Sequence, residues 1–109
     1  AEETADEIGG MSSGENAMAR HLLIIGLVQG VGYRASFEAQ ARALKLKGWV
    51  RNRMDGSVEA MVKGDAHALD AIVAWARRGP PLARVDEMKV DEITEDVVPG
   101  DRFEVVATK

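Results

Sequence analysis

Cysteine is missing altogether from the 109 residues of this sequence. That absence excludes a disulfide scaffold, a thiolate metal centre and a thiol nucleophile, and it suits a protein of the reducing cytoplasm. Long apolar runs are missing too. The longest run of large aliphatic residues, Leu22 to Ile25, resumes only at Leu27 and Val28. That is far short of the ~20 residues a membrane-spanning helix requires, so a soluble protein with no membrane partner is expected. Histidine is scarce: His21 and His67 have no partner at ligand spacing. The acids Asp55, Glu59, Asp65 and Asp70 form no clustered ligand pattern either, so no metal site is expected. Aromatic residues make up only 5%. None falls in His21 to Val28 or Ser57 to Gly64, where an RNA-recognition sheet would stack bases, and no nucleic-acid partner is expected. A chain of this length buries only somewhat more than ~60% of its unfolded surface, enough for one core but not for a large enclosed cofactor cavity as well. No cofactor is expected, and Trp49 and Trp75 read as packing residues.

Charge is present but unevenly spread. Glu2, Glu3, Asp6, Glu7 and Glu15 against Arg20 account for the whole formal charge of −4, so the rest of the chain is balanced. Within that neutral body, residues 34–64 hold seven basic and three acidic side chains, and residues 84–109 hold four basic and eight acidic ones. Such a bias can steer a small anionic ligand but is too weak and undirected for a polyanion.

Residues 1–19 are rich in Ala, Glu, Gly and Ser without a sustained period of 2 or 3.6, and they read as a disordered tail, an extended start or an added segment, ahead of a domain over residues 20–109. His21 to Val28 is nearly all apolar and predicts a central strand buried on both faces. Phe37, Ala41 and Leu44 recur at helical spacing, so a helix is expected from about Arg34 to Leu46, ended by Gly48. Trp49 to Arg53 then predicts a short strand, Met54-Asp55-Gly56 a turn, and the alternation of Val58, Ala60 and Val62 a half-buried strand hairpinned to it. Asp65 suits the N-cap of a second helix whose apolar face is Leu69, Ile72, Val73 and Ala76, with Arg77, Arg78, Gly79 and Pro80-Pro81 ending it. Val85 to Glu95 and Arg102 to Ala107 predict two further strands around a Pro99-Gly100 turn. The order is βαββαβ with an added C-terminal strand. It predicts an α+β two-layer sandwich of the ferredoxin-like type, two helices on one face of a mostly antiparallel sheet. This fold serves enzymes, ligand-binding modules and RNA-binding modules alike, so function rests on the site.

The informative segment runs from Gly26 to Arg34, a strand passing through the two-glycine loop Gln29-Gly30-Val31-Gly32-Tyr33 into a helix. Glycines let successive backbone N–H groups turn into one concavity, and the helix adds its positive N-terminal end, which together make an anion cradle. Arg34 stands at its rim with a planar donor fork suited to two phosphate oxygens. Cysteine-dependent phosphatases carry their nucleophile six residues before such an arginine, and here that position is Val28, so no covalent phospho-enzyme forms there. Taken alone, the loop is equally a tight turn with a solvated arginine.

Two segments together resemble the acylphosphatase family: Gly26-x-Val28-Gln29-Gly30-Val31-x-Tyr33-Arg34, and Gly48-Trp49-Val50-Arg51-Asn52-x-x-x-Gly56-x-Val58 closing at Gly64. The resemblance spans about residues 20–109. It implies hydrolysis of acyl phosphates to a carboxylate and orthophosphate, with Arg34 and the backbone of residues 29–34 binding phosphate and Asn52 orienting the attacking water. A monomer is expected, with an acyl-phosphate substrate and orthophosphate as its partners, the latter both product and, because it shares the cradle with the substrate, competitive inhibitor. The alternative is an acylphosphatase-like domain that handles carbamoyl phosphate, as in the hydrogenase-maturation carbamoyltransferases, or a small-anion-binding module without independent turnover.

Overall fold

The computed structural model describes residues 18–94, 98 and 100–109. Most of the expected tail, and Pro99 of the expected turn, lie outside the described residues. The elements are β1 (Met18–Leu27), α1 (Tyr33–Ala43), β2 (Lys47–Asn52), β3 (Val58–Gly64), α2 (Ala66–Arg78), β4 (Arg84–Ile93) and β5 (Phe103–Val105). Composition assigns Met18 and Ala19 to the tail; instead they open β1, with Ala19 fully buried between Lys63 and Ile93.

The strands lie in the order β4-β1-β3-β2-β5. β1 pairs antiparallel with β3 and β4, β2 pairs antiparallel with β3, and β5 adds to β2 in parallel. Both helices cover the same face. Tyr33, Phe37 and Ala41 of α1 and Leu69, Ile72 and Ala76 of α2 pack in one core with Leu22, Ile24, Val50, Val58, Ala60 and Val62 of the sheet. This is the ferredoxin-like α+β sandwich that the element order predicts.

Four local expectations are corrected. β1 is not buried on both faces: Leu22 and Ile24 face the helices and are fully buried, whereas Leu23 and Ile25 are half-buried. An apolar run marks burial but does not count layers, and among the described residues no second helical layer covers the far face. The first helix stops at Ala43, short of Leu46. Lys45 takes a left-handed φ of 60°, and the Leu46 N–H donates to Ala41 O at 2.9 Å, closing the helix end and dropping Leu46 into the core. Gly48 does not end that helix; it lies inside β2 at φ 128°, where a Cβ would stand 1.9 Å from the Met61 carbonyl oxygen. It is glycine because the β3 backbone comes that close. The last strand is regular only over Phe103–Val105. Beyond it, single bonds continue along β2, from Val106 N–H to Val50 O and from Lys109 N–H to Asn52 O, each at 3.0 Å.

The second helix follows its sequence signals. Asp65 Oδ1 accepts from Ala68 N–H at 2.9 Å as the N-cap, and Gly79 N–H donates to Trp75 O at 2.8 Å at the other end.

Gly48→Ala is expected to lower stability by about 2 kcal/mol or more, because the new methyl group must displace backbone and not a flexible side chain. Thermal unfolding should show Tm lower by roughly 8 °C or more for a domain of this size, and an unchanged Tm would remove the close-approach explanation.

Candidate active site

β1 ends at Leu27, Val28 inserts into the core, and the chain turns through residues 29–32 into α1. Gly30 and Gly32 both adopt left-handed backbone, at φ 76° and 79°, and a Cβ on either would meet nothing within 4 Å. Conformation, not space, demands glycine there. Gly32 is the N-cap of α1 and offers no side-chain cap; the first helical bond runs from Ser36 N–H to Gly32 O at 3.1 Å. The N–H groups of residues 33–35 therefore have no acceptor within the helix and point out of its positive end.

A cavity of about 280 Å³ opens over this loop. Of the sequence-predicted residues, Gln29, Gly30, Gly32, Tyr33, Arg34 and Asn52 all line it. Asn52 arrives from the far side of the sheet's core strands, because β3 pairs with both β1 and β2: Val58 stands opposite Ile24 on one side and Asn52 on the other. Its Oδ1 is buried with no hydrogen-bond donor among the described residues. Arg34 is half-buried and makes no salt bridge among the described residues. Val31 is the exception. It does not line the cavity, and its side chain packs against the hydrophobic core.

Two of these residues face the cavity with less than their whole side chain. The Tyr33 ring is buried, tilted against Trp75 at 5.5 Å and Phe37 at 6.3 Å between centroids, and its hydroxyl donates to Ala76 O on α2 at 2.7 Å. Burial pushes the Tyr33 phenol well above its usual value, so it stays a neutral donor and offers a ligand only its backbone. Gln29 turns its amide away from the loop. Its Nε2 donates to Arg53 O at 2.8 Å and to Ser57 O at 2.9 Å, bolting the loop to the β2–β3 turn. That turn is itself closed by Arg53 N–H on Ser57 O at 2.9 Å and by the Ser57 N–H and hydroxyl on Asp55 Oδ1. The two bonds from Ser57 hold the Asp55 carboxyl below its usual value.

Three residues that sequence reasoning did not place here complete the surroundings. Glu38 and Val105 line the cavity. Glu38 lies four residues after Arg34, one helical turn along the same face, a spacing that could have revealed it; its carboxylate is held by Arg42 at 3.0 Å. Val105 comes from β5 and is one of the more exposed large apolar residues, a position only the sheet order decides. Glu59, on the opposite face of the sheet, is 8% exposed despite its charge. The alternation of β3 predicts a solvated side chain there. Instead Glu59 collects His21 Nε2 at 2.6 Å, Arg51 Nε at 2.9 Å and Arg53 Nη1 at 3.1 Å. Burial alone would raise its carboxyl, but the bonds from His21, Arg51 and Arg53 outweigh burial and hold it below the usual value.

Among the described residues, no group of three or more His, Asp or Glu could hold a metal ion. None of the helices there is long and apolar enough to cross a membrane.

Comparison with known proteins bears on the family and the fold. A family model described as acylphosphatase matches residues 20–105. An acylphosphatase of Acidovorax sp. is 51% identical over 82 residues, which is 75% of this chain and 84% of that protein. The solved structure of an acylphosphatase from Coxiella burnetii superposes with a TM-score of 0.79 at 33% identity, covering 85% of this chain and 96% of that one. The crystal structure of T. kodakarensis HypF also matches, with a TM-score of 0.68 at 33% identity, but there the likeness takes in 84% of this chain and only 12% of HypF. The family model spans most of the chain, over the strands and helices that carry the loop, Arg34 and Asn52, and this chain belongs to the acylphosphatase family of hydrolases.

Proposed function

We propose that this chain splits acyl phosphates into a carboxylate and orthophosphate with Arg34 and the 29–34 backbone as the phosphate site and Asn52 as the residue that orients water. We include in the proposal that it does so without a metal ion, as a monomer and in the cytoplasm. The observation that carries the reading is the meeting in one cavity of an uncapped helix start and, among the described residues, an arginine without a salt bridge and an asparagine with a buried, donorless Oδ1.

The chemistry needs little more. A mixed anhydride expels a carboxylate, a leaving group weakly basic enough to depart without a general acid, through a loose transition state whose charge sits on the phosphoryl oxygens. Fixed donors suit that charge and are worth roughly 3–4 kcal/mol apiece, and orienting a reactant contributes up to about 7–11 kcal/mol. The Arg34 fork and the loop N–H groups supply the donors. Asn52 supplies the orientation: its amide both accepts and donates while staying neutral beside an anion, and a water that donates to Oδ1 would satisfy the buried acceptor. The proton released by the water passes to the substrate phosphate, since Glu38, the carboxylate on the cavity wall, is already engaged by Arg42. The lack of cysteine supports the cytoplasm.

The test is turnover of benzoyl, acetyl, carbamoyl and p-nitrophenyl phosphate in parallel. The three acyl phosphates should be hydrolysed and the phosphate ester spared; turnover of carbamoyl phosphate alone would favour the carbamoyl-phosphate reading. Excess EDTA should leave the rate unchanged, and a loss restored by Mg²⁺ would end the metal-free mechanism. Arg34→Lys keeps the charge but loses the fork, so KM should rise and kcat fall, with kcat/KM down by more than about 100-fold. Asn52→Ala should lower kcat by about 10²–10³ while orthophosphate still inhibits competitively. Loss of orthophosphate binding together with kcat would move Asn52 into the phosphate cradle.

A further inference from the structure

Asn52 is flanked by two arginines, and both reach the same buried carboxylate. Strand alternation sends Arg51 and Arg53 to the face of the sheet opposite the helices and Asn52 to the helix face. On that opposite face, Arg51 places Nε at 2.9 Å and Nη2 at 2.8 Å from Glu59 Oε1, and Arg53 places Nη1 at 3.1 Å from the same oxygen. His21 Nε2 occupies the other oxygen, Oε2, at 2.6 Å. Arg51 is further held flat, its guanidinium carbon 4.5 Å from the Trp49 ring centroid. The Glu59 side chain is only about one-tenth exposed, at 10%, and it sits directly opposite Arg51 in the β2–β3 register.

We infer that Glu59 is a positioning residue for the hydrolysis: by gripping the side chains on either side of Asn52 from behind the sheet, it fixes the backbone twist that aims the Asn52 amide into the cavity. This rests on the reading of Asn52 as the residue that orients water. A lone arginine at either position would leave the twist at the end of β2 to backbone bonds alone, the Asn52–Val58 pair, Arg53 N–H on Ser57 O and Lys109 N–H on Asn52 O, which tolerate a range of strand twist. Gripping both neighbours removes that freedom. The same carboxylate also offsets half the charge of two guanidiniums that would otherwise repel one another across Asn52 and compete with Arg34 for an anion. Its burial would be costly without that return, since an isolated carboxylate in an apolar setting is strongly disfavoured. The other face has its own ionic link, Arg20 with Asp70 and Glu92 at 3.0 and 2.7 Å, which touches neither Asn52 nor the loop.

The experiment compares Glu59→Gln with Glu92→Gln in the full chain, using benzoyl phosphate turnover, the competitive inhibition constant of orthophosphate, and thermal unfolding. Glu59→Gln should lower kcat about tenfold, because a displacement of the Asn52 amide by a fraction of an ångström spoils the alignment of the water. The orthophosphate constant should stay within about twofold, since the Gln29 bolt and the loop remain. Glu92→Gln should lower Tm without moving kcat. Combined with Asn52→Ala, Glu59→Gln should cost no further kcat, because the group it acts through is gone. The inference falls if Glu59→Gln lowers Tm and leaves kcat within twofold of the parent, or if its kcat loss persists undiminished in the Asn52→Ala background. Should Glu59→Gln not fold, Arg53→Met keeps the Arg51–Glu59 pair and is read in the same way. The two readings fail separately. Normal kcat in Asn52→Ala removes the water-orienting role itself, whereas a collapsed kcat in Asn52→Ala beside a normal kcat in Glu59→Gln removes only the grip.

Discussion

The hydrogen bonds of one side chain amide, Gln29 Nε2 onto the carbonyls of Arg53 and Ser57, hold the site together. The two-glycine loop follows β1 and Asn52 ends β2, and β3 lies between those strands, so no backbone ladder joins the two halves directly. Each carbonyl at the β2–β3 turn already accepts one backbone bond, from Gly56 N–H at Arg53 O and from Arg53 N–H at Ser57 O. Gln29 uses their remaining lone pairs, so a loop of left-handed glycines is braced against a turn that is itself closed by Asp55 and Ser57. Without such a brace, a loop containing two glycines carries more backbone freedom than almost any other, and orienting donors before the substrate arrives is the source of catalytic power in a site with no metal and no nucleophile proposed.

Charge is sorted by the sheet. On the face away from the helices, Glu59 absorbs Arg51 and Arg53; on the helix α1, Glu38 and Arg42 pair one turn beyond Arg34. Of the seven basic residues in 34–64, Arg42, Arg51 and Arg53 pair with carboxylates and Lys63 donates to Val98 O, and of the seven Arg34 alone lines the cavity, beside the helix start. An anion meets donors there and not a diffuse positive surface. The aromatic cluster serves the same end from below, because Tyr33 is both the first residue of α1 and the residue whose hydroxyl fastens that helix to α2.

Much of this was legible in the residues alone. Apolar alternation, the Asp65 cap and the Gly79-Pro80-Pro81 stop locate β3 and α2, because each depends on contacts within a few residues along the chain. The loop and Arg34 were legible for a similar reason, because conformational glycines and a chemically specific side chain leave a mark at their own positions, whereas Asn52 was singled out only by the resemblance to the acylphosphatase family. Gly48 misled, since a glycine required by another strand's backbone looks in sequence like one that ends a helix.

What the sequence by itself determined is the set of elements, their order, and the residue types able to hold a phosphate and a water. What only the tertiary structure decided is which of them meet, and what occupies the back of the sheet. That Gln29 braces a turn and not a ligand, that Val31 packs into the core, that Glu38 and Val105 wall the cavity and that Glu59 is buried among two arginines and a histidine all depend on pairings between residues far apart in the chain. Local propensity carries no information about such pairings, because they are set by strand register and sheet order. A charged residue at an outward position of a strand reads as solvated until its neighbours across two strands are known to close over it.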